Sequence, residues 1–169
     1  MSKQLTAERV GTPRGVERVV NGQFVMDGAG VKINRVLTGP LQRRLDPFLM
    51  LDAFGSDKPG DYIAGFPEHP HRGFETITYM LAGRMRHRDS AGNHAGVRPG
   101  ELNLMTAGRG ISHSEVSTPA TRLLHGVQLW VALPESQRHA EPGFVHHAPP
   151  PLRGPGWTVR VFLGSLLGS

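Results

Sequence analysis

His69-Pro-His-Arg-Gly-Phe-Glu-Thr-Ile-Thr-Tyr-Met-Leu81 is the stretch of sequence that decides the fold of this chain. It joins a His-x-His pair to a run rich in β-branched and aromatic residues, which is typical of a β-strand. Residues two apart lie on the same face of a strand but not of a helix. The stretch therefore predicts extended chain that presents two imidazoles to one side of a sheet.

A second pattern of the same kind lies further along the chain, in Gly108-Arg-Gly-Ile-Ser-His-Ser-Glu115. Here His113 and Glu115 are also two apart, so neighbouring strands could gather three imidazoles and one carboxylate around a single point. That donor set suits Fe, Mn, Ni or Zn rather than Ca or Mg, which prefer oxygen ligands. Gly108 and Gly110 would let the backbone bend close to such a site, although an ordinary turn explains them almost as well.

The composition favours one β-rich domain. The chain has 169 residues, of which 38% are hydrophobic, 22 are Gly and 14 are Pro, which disfavours long helices. Because it contains no cysteine, disulfides, thiolate ligands and cysteine nucleophiles are excluded. The N-terminal sequence MSKQLTAERV lacks an apolar signal-peptide core. With no apolar run near the roughly 18 residues of a membrane span, we expect a cytoplasmic protein that does not bind membranes.

Short apolar runs alternate with turn residues along the chain, which predicts an antiparallel barrel or sandwich. If the chain stays extended beyond the histidine pair, Glu75, Ile77 and Tyr79 share its face. The runs expected to form strands are Val16–Val20, Val31–Leu37, Phe48–Phe54, Phe74–Leu81, Leu102–Ala107, Leu123–Leu133 and Trp157–Leu163.

The formal net charge of +5 raises the question of nucleic acid binding. The arginines are scattered, however, and in Arg84–Asp89 they alternate with Met, His and Asp. This pattern is typical of a half-exposed strand with arginines in solvent and His87 on the inner face. We therefore expect no direct contact with nucleic acid.

Several longer motifs resemble the pirin family of the cupin superfamily, and they follow one another in the family's order. The resemblance implies a cupin jelly roll, a double-stranded β-helix, with one metal ion that is usually iron. Mn, Ni, Zn, Co or Cu would also suit the donor set. The motifs are Pro47–Asp52, His69–Thr76, Arg88–Gly92, Pro99-Gly100, Met105–Glu115, Leu129–Val131 and Leu133-Pro134.

The same resemblance implies the metal ligands His69, His71, His113 and Glu115. Face parity alone leaves the carboxylate open, because Glu75 follows the His-x-His pair at a spacing that many cupins use. If Glu115 is not the ligand, Glu75 takes that place; otherwise Glu75 would orient a histidine or pair with Arg72 or Arg109. His125 is interpreted as a packing residue or as a group behind the ligands.

Two functions follow from the resemblance. Some members of the family are similar to quercetin 2,3-dioxygenases, which open a flavonol ring with O₂, and Glu115 would then be the general base for the flavonol 3-hydroxyl. Others act as partners of transcription factors or other proteins, with the metal as a redox or structural element. The physiological substrate and the metal are left open by the sequence.

The predicted domain organisation is a flexible leader over residues 1–15 and a metal-binding cupin over 16–135. Residues 136–169 would form a Pro/Gly-rich connection and a terminal strand, where the family implies that a second, metal-free cupin begins. We expect the apolar surface that such a domain covers to favour a dimer or higher oligomer.

Overall fold

The computed structural model describes residues 15–165, apart from the side chain of Pro40, and it consists almost entirely of β-strands. The all-β prediction is therefore confirmed. Helical structure in the described part is limited to the short helix α1 (Gly39–Gln42) and two 3-10 turns, Pro59–Asp61 and Glu135–Gln137. The strands are β1 (Gln23–Asp27), β2 (Val31–Leu37), β3 (Phe48–Ser56), β4 (Phe66–His71), β5 (Phe74–Ala82), β6 (Met85–Asp89), β7 (His94–Val97), β8 (Leu102–Thr106), β9 (Ile111–Ser117), β10 (Leu124–Ala132), β11 (Gly143–His147), β12 (Leu152–Gly154) and β13 (Trp157–Val159).

Two antiparallel sheets enclose the core. The larger sheet has seven strands in the order β1-β2-β3-β10-β5-β8-β11, and the smaller has four in the order β4-β9-β6-β7. Strands β12 and β13 form a separate two-stranded ribbon. Consecutive strands often belong to different sheets, so residues that are distant in sequence become neighbours across the interior.

The interior changes from apolar to polar along the strands. On β6 the inward residues are Met85, His87 and Asp89, and the arginines between them are exposed, as the alternation predicts. On the adjacent strand β9 the inward residues are Ser117, Glu115 and His113, which lie opposite those three residues of β6 in the same order. The apolar end is packed by a cluster of buried side chains: Val31, Ile33, Phe54, Tyr62, Met80, Met85, Val97 and Leu124. Potential metal ligands therefore occupy one end of a well-packed interior.

The predicted face parity of β5 is wrong. Strand β4 belongs to the smaller sheet and β5 to the larger one, and Gly73 between them has a φ of +78°, so the chain turns a corner there. Thr76, Thr78 and Met80 consequently face the interior, whereas Glu75 lies on the other side of the strand. An extended chain through residue 73 would have reversed this arrangement.

Other sequence-based expectations differ from the structure near the ends of the described range. The run Val16–Val20 forms no strand, and Val16 and Val19 are strongly exposed. Within the predicted connection, Gly143–His147 forms a strand that pairs with β8 at the edge of the larger sheet. Because prolines lie on both sides of this short strand, the composition of the segment predicted a loop instead. The leader predicted over residues 1–15 lies, except for Gly15, outside the described residues. The division of the chain into domains stays a prediction.

In the described part of the chain, no helix is long and apolar enough to cross a membrane.

Candidate metal centre

Three histidines from two neighbouring strands meet at the polar end of the interior. β4 supplies His69 and His71, β9 supplies His113, and the antiparallel register places His69 directly opposite His113. One ring nitrogen from each lies within 4.8 Å of the other two, and the ring centroids are 4.5–4.8 Å apart. The sequence patterns predicted this convergence, and His-x-His on a paired strand produces it.

The hydrogen bonds of two of these rings leave a nitrogen free for a ligand. Nδ1 of His69 lies 2.7 Å from the Pro67 carbonyl, to which it can only donate, so Nε2 of His69 carries the lone pair. His113 is 1% exposed, and its Nε2 has no hydrogen-bond partner within the part of the chain that the structure describes. A buried nitrogen without a partner is costly unless a metal or another ligand satisfies it. The site therefore fits a divalent transition metal.

Burial keeps the imidazoles of His71 and His113 neutral, which is the form that binds metals. Burial, and secondarily the neighbouring His113 and His69, lower the pKa of His71 to about 4, against an opposing effect of Glu115. Burial, together with His69 and His87, lowers the pKa of His113 to about 3. Protons therefore compete weakly with a metal at neutral pH.

Glu115 spans the gap between the two sheets beside this cluster. It is 3% exposed; its Oε1 accepts a hydrogen bond from Thr78 Oγ1 at 2.8 Å, and its Oε2 accepts one from Gln128 Nε2 at 2.6 Å. Gln128 is held in turn by Trp130, whose Nε1 donates to Gln128 Oε1 at 3.1 Å. The carboxylate is thus fixed near His71, although it is not among the atoms that lie within 4.8 Å of one another.

The alternative carboxylate, Glu75, faces away from the cluster. Its Oε1 accepts a hydrogen bond from Thr106 at 2.7 Å on the outer face of the larger sheet. Among the described residues, Glu75 forms no ion pair with Arg72 or with Arg109. Arg109 instead forms an exposed ion pair with Glu141 at 2.8 Å. His125 is exposed beside Gly55 and contributes nothing to the cluster. The corner at Gly73 turns Glu75 away from the cluster, which face parity along an extended chain could not predict.

Gly108 shows why small residues precede His113. Its φ is +51°, and a Cβ there would lie 2.1 Å from the Ala140 carbonyl oxygen. Its own carbonyl accepts the backbone N–H of Gly73 at 2.8 Å, which ties the turn before β9 to the corner between β4 and β5. The glycine therefore permits a close backbone approach that joins both ligand segments.

An aromatic wall borders the cluster where it opens to the surface. Phe74 and Trp130 stack with ring centroids 4.6 Å apart, and His71 meets both rings edge-on at 5.0 Å. These residues line an open pocket of about 720 Å³, together with His69 and Arg72. The pocket offers a flat apolar surface next to the histidine cluster, which suits a planar aromatic molecule.

The depressed pKa values predict how the metal-free protein responds to acid. Below the ordinary histidine pKa of 6.5, the unfolded chain takes up protons that folded His71 and His113 refuse until about pH 4 and about pH 3. The free energy of unfolding should therefore decrease as the pH is lowered through this window, by up to about 1.4 kcal/mol per pH unit for each histidine. Urea unfolding at pH 7, 6 and 5 measures it.

Two variants isolate this effect from the titration of other groups. His113→Gln should give a shallower pH dependence, whereas the exposed His94→Gln should follow the wild type. Equal slopes for His113→Gln and the wild type would contradict the expectation.

Together, the two-sheet β-sandwich and the His cluster in its interior define a metal-binding protein of the cupin class. The pirin family model matches residues 30–131. A pirin-like protein of Caulobacter vibrioides is 46% identical over 156 residues, which cover 90% of this chain and 56% of that protein. The chain belongs to the pirin family.

Solved structures agree with this assignment. The quercetin 2,3-dioxygenase from Acinetobacter baumannii matches with a TM-score of 0.76 and 36% identity, covering 87% of this chain and 50% of that chain. The bacterial pirin YhhW from Escherichia coli in complex with nickel(II) matches with a TM-score of 0.60 and 26% identity, covering 75% of this chain and 54% of that chain. The predicted cupin jelly roll is confirmed. The chain spans about half the length of the relatives it matches.

Proposed function

We propose that this chain binds one divalent transition metal ion through His69, His71, His113 and Glu115, and that it cleaves a flavonol such as quercetin with O₂. The observation that carries the proposal is the buried Nε2 of His113, which has no hydrogen-bond partner among residues 15–165, within a cluster of three imidazoles. The relationship to the nickel-bound pirin and to the quercetin dioxygenase supports it. Fe(II) is the metal that we expect.

The residues of the pocket suggest how a flavonol would be held. The flat ring system would lie against Phe74 and Trp130, with Arg72 at the rim facing its phenolic oxygens. A bound metal ion supplies Lewis acidity and redox chemistry at the cluster. If Glu115 loosens from the metal, its carboxylate would take the proton from the 3-hydroxyl, while Thr78 and Gln128 hold it in position.

Reconstituted protein tests the proposal directly. We expect chain loaded with Fe(II), Mn, Ni, Co or Cu to consume quercetin and O₂ and to release CO, which gas chromatography detects. Elemental analysis of protein purified without a metal-affinity tag should find about one transition metal ion per chain, as one such site requires. Absence of turnover with all five metals would contradict the enzymatic proposal.

A non-catalytic module that reads the redox state would instead change its affinity for a partner in pull-downs under oxidising and reducing conditions.

We also propose that the chain associates with itself. An apolar groove of about 520 Å³ lies along the edge of the larger sheet, with Leu102, Leu104 and the 55% exposed Val145 among its lining residues. Exposed apolar surface of this kind favours association. Size-exclusion chromatography with light scattering should give at least twice the chain mass of 18.4 kDa, and Val145→Lys should shift it towards the monomer. A monomeric wild-type protein would contradict this.

The cytoplasmic location stays a prediction, which cell fractionation tests.

A further inference from the structure

A fourth histidine contacts the cluster but is not one of its ligands. Nδ1 of His87 on β6 lies 3.4 Å from Nδ1 of His113, and the two rings are 5.2 Å apart. Both side chains are buried. The ring of His87 also stacks on Phe144 of β11, at 4.5 Å and with an angle of 22° between the planes. The orientation of His87, on the smaller sheet, is therefore held by a residue of the larger sheet.

The other nitrogen of His87 is bonded to a buried carboxylate. Nε2 of His87 lies 3.1 Å from Asp89 Oδ2, and their side chains are 2% and 0% exposed. The turn that follows β6 holds Asp89 in place: its Oδ1 accepts the backbone N–H groups of Ala91 and Asn93 at 3.0 and 2.9 Å. The amide of Asn93 also donates to both carboxylate oxygens. Asp89 is thus an acceptor with a fixed position.

These contacts determine where the protons lie. An ionised carboxylate can only accept, so Nε2 of His87 must donate to Asp89. Neutral His87 then has a lone pair on Nδ1, which can accept the N–H of His113 Nδ1. This leaves the lone pair of His113 on Nε2, the buried nitrogen that has no partner among the described residues. The opposite tautomer of His113 could not bind a metal through Nε2.

We propose that Asp89 and His87 form a positioning relay that fixes the tautomer and ring orientation of His113 for metal binding. Neither residue touches the metal in this proposal; each acts through the next. The inference rests on the proposed metal site. Groups that orient metal-bound histidines typically account for about 10- to 100-fold in metal affinity, and we expect an effect of that size here.

The experiment measures Co²⁺ affinity of the 169-residue chain by competition with a chelator, and the Co²⁺ absorption spectrum. His87→Leu removes the acceptor with little change in volume and should weaken Co²⁺ binding by about 10- to 100-fold. His87→Gln retains a carbonyl oxygen that can accept from His113 and should recover most of the affinity. Asp89→Asn should weaken binding and alter the Co²⁺ spectrum. Met85→Leu, two residues earlier on the same inward face, is the matched control and should bind as the wild type does.

A second measurement separates positioning from folding. Long-range ¹H–¹⁵N spectra of metal-free, ¹⁵N-histidine-labelled wild type should show His113 protonated at Nδ1, and Asp89→Asn should mix in the Nε2-protonated form. Protonation at Nε2 in the wild type would overturn the relay, as would equal losses of affinity in His87→Gln and His87→Leu. Wild type that fails to bind Co²⁺ would contradict the proposed metal site instead, so the two failures are distinguishable.

Discussion

His113→Ala should abolish stoichiometric metal binding, with a loss of metal affinity greater than about 100-fold. Loss of a residue that only orients a ligand typically costs about 10- to 100-fold in affinity, and loss of the ligand itself should cost more. The variant loses the buried Nε2, for which the described part of the chain offers no hydrogen-bond partner, and the remaining two histidines come from one strand. Isothermal titration with Ni²⁺ or Co²⁺ measures the affinity, and quercetin turnover should disappear with it.

Metal-dependent stability provides a second measurement for the same variant. When free metal is 100 times Kd, binding should raise the free energy of unfolding of the wild type by about 2.7 kcal/mol, and the variant should show none of this gain. His125→Ala is the matched control, because that side chain is exposed beside Gly55 and is not part of the cluster. A variant at His113 that still binds one metal ion tightly would show that the ligands lie elsewhere.

Glu115→Gln should reduce quercetin turnover by about 10²- to 10⁴-fold, the range typical of the loss of a general base. The substituted amide can still accept from Gln128 and can donate to Thr78 Oγ1, so both contacts across the sheets have a replacement. The fold should therefore survive with a cost of about 1 kcal/mol, as for a single altered hydrogen bond. Loss of turnover with metal still bound would separate proton abstraction from metal binding.

Glu75→Gln is the control for this prediction, since its carboxylate bonds Thr106 on the outer face. It should retain the turnover and the metal content of the wild type. If Glu75→Gln lost activity while Glu115→Gln kept it, the proposed base would be wrong.

The sequence by itself determined the class of fold and the convergence of three histidines, His69, His71 and His113. Alternation with a period of two gave the strands and predicted correctly that His87 faces inward, and His-x-His pairs on strands are strong local signals because spacing alone sets their direction. The long motifs of the pirin family then fixed the order of the elements. All of this information is local in the chain.

Only the tertiary structure decided the rest. The corner at Gly73 moves the chain from one sheet to the other, so Glu75 faces away from the cluster and, of the two carboxylates that face parity left open, Glu115 lies beside it. Thr78 and Gln128 received no role from the sequence, since their partner Glu115 lies in the opposite sheet and no spacing rule connects them. Alternation placed His87 and Asp89 on one face of β6, but the contact of His87 with His113 depends on the fold. Contacts between sheets depend on packing, and packing is set by the whole fold rather than by any one stretch of sequence.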